Sequence, residues 1–193
     1  MTSPTVAAGP RWLITGPPGI GKSTVVSRVI YLLRMKGLGV GGCLTKERRE
    51  GRQRVGFTIV DLMSGREAVL AASEKVLGPR VGRYRVNIAG LVDIGARALE
   101  AAAAASDVIV IDEVGPMELT SPEFRKGVEA CLASGKPMLA VVHEQMRDPL
   151  IELLTELPGK SLIEISLQNR DRIADTLASE MVGSPPRDAS QGA

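Results

Sequence analysis

The residues Gly16-Pro17-Pro18-Gly19-Ile20-Gly21-Lys22-Ser23 fit the pattern G-x-x-x-x-G-K-[ST] in full. This is the feature that most constrains what the chain can fold into. Glycines let the backbone curl so that successive N–H groups face one point, where a phosphate oxygen fits and a Cβ would obstruct. The lysine then reaches the β- and γ-phosphates, and the hydroxyl after it meets Mg²⁺. Such a loop works only between a strand and a helix, because the helix N-terminus adds its positive end to the site. The flanks supply both. Arg11-Trp12-Leu13-Ile14-Thr15 reads as a short buried strand, and Thr24 to Arg34 reads as a helix. The loop residues, with Thr24 behind them, are therefore expected to hold a nucleoside polyphosphate, with Lys22 in a catalytic role.

The rest of the chain keeps the same rhythm. Val40 to Thr45 reads as a strand, and Leu91 to Ala105 as an alanine-rich helix. Val108-Ile109-Val110-Ile111 is a continuous apolar run, the pattern of a strand covered by helices on both faces. Ser121-Pro122-Glu123 supplies an N-cap and a first-position proline for a helix to about Ser134. A strand over Lys136–Val142, a helix over Pro149–Leu157, a strand over Ser161–Ile165 and a helix over Asn169–Met181 follow. Alternation of this kind predicts an α/β fold, a three-layer phosphate-loop domain with a mostly parallel central sheet. The stretch of about 46–88 breaks the alternation. It holds a charged segment, a strand over Val55–Asp61, a turn at Met63–Arg66 and an exposed strand over Arg83–Asn87, so a small β-rich insertion is expected. The expected organisation is one domain over 11–182, with loose tails at 1–10 and 183–193.

Composition decides three further points. Aromatic residues are only 3% of the chain, so a core of Val, Ile, Leu and Ala is implied. A formal net charge of +2 gives no reason to expect a nucleic-acid or membrane partner. Cys43 and Cys131 stand far apart with no C-x-x-C pair; a strand and a helix are their expected places, as reduced thiols of a cytoplasmic chain. Met1 to Pro10 has neither a basic start nor an apolar segment of the secretory kind, and no apolar run is long enough to span a bilayer. A monomer is the expected state.

The second half of the nucleotide site is expected at Asp112-Glu113, where the apolar run ends in two carboxylates. Asp112, with Ser23, is the candidate for Mg²⁺. Glu113 is placed to accept a proton from, or orient, a water facing the γ-phosphate. Four further triphosphate contacts are weighed against blander readings. Arg49 and Arg54 lie in a run of charge, Lys46 to Arg54, whose readings rank as a solvated hairpin loop, a triphosphate contact and a nucleic-acid patch, in that order. His143, at the end of a strand, is either a γ-phosphate sensor or a capping residue. Arg170, at the start of the last helix, either meets the nucleotide or is a surface charge.

Asp112-Glu113-Val114-Gly115-Pro116-Met117-Glu118-Leu119 resembles the D-E-I-G-K-M-E-L signature of the small nucleoside-triphosphatase family known from thermophiles and humans. Thr45-Lys46-Glu47-Arg48-Arg49 resembles its T-x-E-x-R, and Gly51 to Phe57 its G-x-R-x-G-F with the second arginine at Arg54. Val81-Gly82-Arg83-Tyr84-Arg85-Val86 is similar to V-G-x-Y-x-V, and Asn169-Arg170 to its N-R. The likeness covers nearly everything but the tails. It implies Mg²⁺-dependent hydrolysis of ATP, GTP, CTP and UTP to the diphosphate and phosphate, with broad base tolerance. Lys22, Ser23, Asp112 and Glu113 would carry that chemistry. Two departures stand out: Pro116 in place of a frequent lysine, and Lys46 in place of a common glutamate. A kinase with a small-molecule or nucleotide acceptor, and a nucleotide-gated RNA-binding module, are the alternatives left open by the residues themselves.

Overall fold

The computed structural model describes residues 9–183, and the two expected tails lie outside them except for 9–10 and 183. Among the described residues nine strands form a single sheet, in the order β5-β6-β4-β3-β2-β7-β8-β1-β9. Its parallel part holds β2 (Val40–Glu50), β7 (Val108–Val114), β8 (Met138–Val142), β1 (Arg11–Thr15) and β9 (Lys160–Glu164). The strands β3 (Gln53–Asp61), β4 (Glu67–Ala72), β5 (Arg80–Val81) and β6 (Tyr84–Val86) extend that sheet antiparallel from β2. The β-rich stretch thus continues the main sheet as an arm, and the sheet as a whole is mixed.

Side-chain alternation on the central strands builds two cores. Leu13, Ile109, Ile111, Met138 and Ala140 point to one face, and Trp12, Ile14, Val108, Val110, Leu139 and Val141 to the other. The second face is covered by α1 (Lys22–Met35) and α6 (Ile173–Val182), through Val26, Val29, Leu33, Leu177 and Met181. Three helices cover the first face: α3 (Arg97–Ala105), α4 (Pro122–Ala133) and α5 (Pro149–Glu156). With apolar cover on both sides, the strands have no exposed face to mark with polar residues, which is why Val108–Ile111 reads as a continuous run.

Local signals set several boundaries. Ser121 accepts from the Phe124 N–H, and Pro122 opens α4, as expected from that cap. The helix expected from Leu91 begins earlier, with a single turn α2 (Ile88–Gly90) capped by the Asn87 side chain. It then passes through a π-helical stretch, Leu91–Ala96, before α3. Gly42 shows a close approach: its φ is +105°, and a Cβ there would stand 2.0 Å from the Val110 carbonyl oxygen. Cys43 on β2 and Cys131 in α4 are both buried free thiols. No helix among the described residues is long and apolar enough to cross a membrane.

Candidate active site

Parallel strands deliver their C-terminal ends to one edge, and the site is built there. The loop leaves β1 with Gly16 at φ +136°, Gly19 at +78° and Gly21 at +111°, conformations that L side chains rarely adopt. At Gly16 a Cβ would also stand 2.9 Å from the Ile165 carbonyl oxygen. The Lys22 ammonium folds back over the loop and donates to the carbonyls of Gly16 (2.6 Å) and Pro17 (3.1 Å). Arg170, in the turn before α6, donates to the Ile20 carbonyl at 3.3 Å and so braces the loop from behind.

Two strands across from β1, β7 brings Asp112 and Glu113 to the same edge. The peptide between them is cis, and the register to β8 shifts between Ile111 and Val114. Ser23 Oγ donates to Asp112 Oδ1 at 3.4 Å, joining the loop to this strand. Asp112 is only 2% exposed, and its Oδ2 has no hydrogen-bond partner among the described residues. Burial pushes its carboxyl up to about 7; the Ser23 hydrogen bond pulls the other way, and the charge of Glu113 adds to the rise. Burial also raises Glu113, partly offset by Lys22 and then His143. Glu118, at the start of a 3₁₀ turn (Glu118–Thr120), is pushed up to about 8 by burial and then by the charge of Glu113.

A hard divalent cation fits this donor set. Ser23 and Asp112 offer oxygens, and the unpartnered Asp112 Oδ2 has a lone pair to give. The described residues hold no cluster of three or more His, Cys, Asp or Glu suited to a metal. The remaining ligands would then be phosphate oxygens and water, as is usual for Mg²⁺.

These groups line one cleft of about 800 Å³, which runs from the loop to the arm. Gly16, Pro18, Gly19, Gly21, Lys22, Ser23 and Thr24 face it, as do Asp112, Glu113 and the half-buried His143. Pro17, Ile20 and Arg170 do not line it; the carbonyls of Pro17 and Ile20 accept from Lys22 and Arg170 instead. Arg49 and Arg54 line the arm end. Glu47 holds both, accepting from Arg49 at 2.6 Å and from Arg54 at 2.7 Å. The charged run is therefore a β-hairpin rather than a loop, and its Arg49 and Arg54 are opposite each other in register. Of the two departures from the family signature, Pro116 faces the cleft. Lys46 is instead paired with Glu67 at 3.6 Å and is not part of the cleft lining.

Several cleft residues carried no expected site role: Thr45, Glu47 and Phe57, which stand in the family motifs, and Arg83 and Gln145. A signal for two of them existed. Thr45, Glu47 and Arg49 follow at every second position, and alternate residues of a strand share a face.

Comparison with known proteins agrees with this geometry. A family model described as NTPase matches residues 11–178. The chain is 43% identical over 175 residues to the nucleoside-triphosphatase THEP1 of Thermofilum pendens, covering 90% of this chain and 96% of that one. The crystal structure of THEP1 from Aquifex aeolicus superposes with a TM-score of 0.79 at 31% identity, covering 89% of this chain and 98% of that one. The solution structure of a human cancer-related nucleoside triphosphatase gives 0.76 at 29% identity, covering 92% and 99%. With its phosphate loop, its paired carboxylates and a match along most of its length, the chain belongs to this NTPase family.

Proposed function

We propose that this chain is a Mg²⁺-dependent nucleoside triphosphatase that converts nucleoside triphosphates to diphosphate and phosphate with broad base tolerance. The observation that carries the reading is the convergence of Lys22, Ser23, Asp112 and Glu113 on one cleft, with Ser23 hydrogen-bonded to a largely buried Asp112. The loop N–H groups and Lys22 offset the charge of the triphosphate, Lys22 exchanging its carbonyl contacts for phosphate oxygens. Ser23 and Asp112 would hold the cation. Bound there, Mg²⁺ would neutralise charge developing on the phosphate oxygens. Glu113, whose carboxyl is raised by burial, orients the attacking water and takes its proton. His143, beside Glu113, is the candidate for sensing the γ-phosphate. Arg49 and Arg54 are paired with Glu47 at the arm end, and either would meet the triphosphate only by exchanging that carboxylate for phosphate oxygens. The chain has no N-K-x-D sequence of the kind that selects guanine, which favours loose base recognition.

The test is phosphate release from ATP, GTP, CTP and UTP, with and without Mg²⁺, for the natural chain and Glu113→Gln. Release from several nucleotides that needs the metal and falls at least a hundredfold in the variant, with binding retained, is the expected result. Tight binding without release in the natural chain would overturn hydrolysis and point to phosphoryl transfer to another acceptor.

A further inference from the structure

The sheet order sets the direction in which the cleft runs. From β1, which carries the phosphate loop, the order passes through β8 with His143 and β7 with Asp112 and Glu113 to β2 and β3 of the arm. A triphosphate with its β- and γ-phosphates at Lys22 and Ser23 has its γ-phosphate toward Asp112. The arm then lies beyond the γ-phosphate, on the side of Glu113. Hydrolysis uses that side only for a water, yet the cleft continues past it to the arm strands.

The chemistry of this far end is specific. Its lining includes half-buried Phe57 and Met117, packed against the core that holds the buried Tyr84, and Phe57 meets the Tyr84 ring edge-on at a centroid distance of 5.2 Å. Its rim is cationic. The Arg54 guanidinium lies 5.2 Å from the centroid of Phe57, and that of Arg83 lies 5.0 Å from the centroid of Tyr84. Arg83 also donates to the Arg54 carbonyl (2.5 Å) and the Tyr84 hydroxyl (2.8 Å). Glu47 is shared by Arg49 and Arg54, and Arg83 makes no ion pair among the described residues. The arm strands and the turn at Arg83 thus bring three guanidinium groups and one carboxylate, Glu47, to this end, with Arg54 and Arg83 fixed in direction by hydrogen bonds. Thr45, on the same strand face as Glu47 and Arg49, also lines the cleft, and its buried Oγ1 has no hydrogen-bond partner among the described residues. A planar ring against Phe57, with an anion within reach of forked guanidinium donors, matches this apolar and cationic lining.

We propose that the arm end of the cleft is a second ligand site, for a nucleoside monophosphate bound at the same time as the triphosphate. The assignment rests on the reading that the loop holds a triphosphate with its γ-phosphate toward Asp112. Arg54 and Arg83 take the monophosphate group, Phe57 takes the base, and Glu47 keeps Arg49 and Arg54 turned inward.

The experiment is calorimetric titration of AMP, GMP, CMP and UMP into the full chain with Mg²⁺ and a saturating β,γ-imido analogue of ATP. At least one monophosphate is expected to bind one per chain beside the analogue. Its affinity should fall at least tenfold in Arg83→Ala, the loss of one charge-assisted hydrogen bond, and less in Arg83→Lys. Arg83 is exposed, so the substitution leaves the core intact. Three results overturn the proposal: monophosphates that bind only without the analogue, an affinity unchanged in Arg83→Ala, or no binding of any of the four. Failure of the underlying reading looks different, since the analogue itself would then fail to bind or would bind Lys22→Ala as tightly as the natural chain.

Discussion

Replacing Glu118 by glutamine should remove a pH dependence that the folded chain otherwise carries. Glu118 is 5% exposed, and its carboxyl is pushed up to about 8, first by burial and then by Glu113. In an unfolded chain a glutamate titrates near ~4.3. Between these values the folded state holds a proton that the unfolded state has released. Stability therefore falls as pH rises, with a slope of about 1.4 kcal/mol per pH unit for one proton. From pH 5 to pH 8 the share of Glu118 is on the order of 4 kcal/mol, fully retained below the unfolded value and lost as pH climbs toward the folded one. Glutamine matches the neutral acid in shape and still accepts through its carbonyl oxygen. Urea unfolding of both proteins at pH 5, 6.5 and 8 gives the answer as a difference of differences, so any constant cost of the substitution cancels. The variant should gain on the natural chain steadily with pH. Stability profiles that run parallel across this range would refute a neutral, buried Glu118.

Three other outcomes are expected. Phe124 is fully buried between α4 and the sheet, so Phe124→Ala should cost about 3–5 kcal/mol in urea unfolding. Gly42→Ala should cost roughly 3 kcal/mol, because its φ of +105° and its 2.0 Å approach to the Val110 carbonyl both exclude a side chain; a loss below ~1 kcal/mol would contradict the close approach. Cys43 and Cys131 are buried, and burial raises both thiols, Cys131 to about 12. Neither should react with Ellman's reagent in the folded chain at pH 8, and both should react in denaturant.

What the sequence made legible was what local chemistry dictates. The phosphate loop is contiguous, and its glycines are required by the backbone at that spot, as the positive φ of Gly16, Gly19 and Gly21 bears out. The β7 strand was readable because cover on both faces leaves an unbroken apolar run, and α4 because Ser121 and Pro122 mark its start. The arm was harder. Its strands are held by pairs whose partners are distant in sequence: Arg54 with Glu47 and Tyr84, and Arg83 with the Arg54 carbonyl. The apolar alternation that identifies a strand is absent from Lys46–Glu50, where every residue is exposed. Across the hairpin the strands are joined by backbone pairing and the Arg54–Glu47 ion pair, which composition reports only as a charged run.

The same run shows why charge alone misleads about function. A solvated hairpin and a binding surface have the same composition; they differ in which side of the strand each charge occupies. Lys46 pairs with Glu67, whereas Glu47 and Arg49 line the cleft. Period-two alternation separates the two sets, but only once the segment is known to be a strand, and that follows from pairing with β3 rather than from its own residues. Arg83 needed one step more, because it lies in the turn between β5 and β6 and is oriented by the carbonyl of Arg54 on β3. The catalytic end is thus written in consecutive residues, while the arm end exists only after the sheet has formed. A change such as Glu47→Gln should accordingly leave the loop and the Ser23–Asp112 contact intact and disturb only the inward set of Arg49 and Arg54.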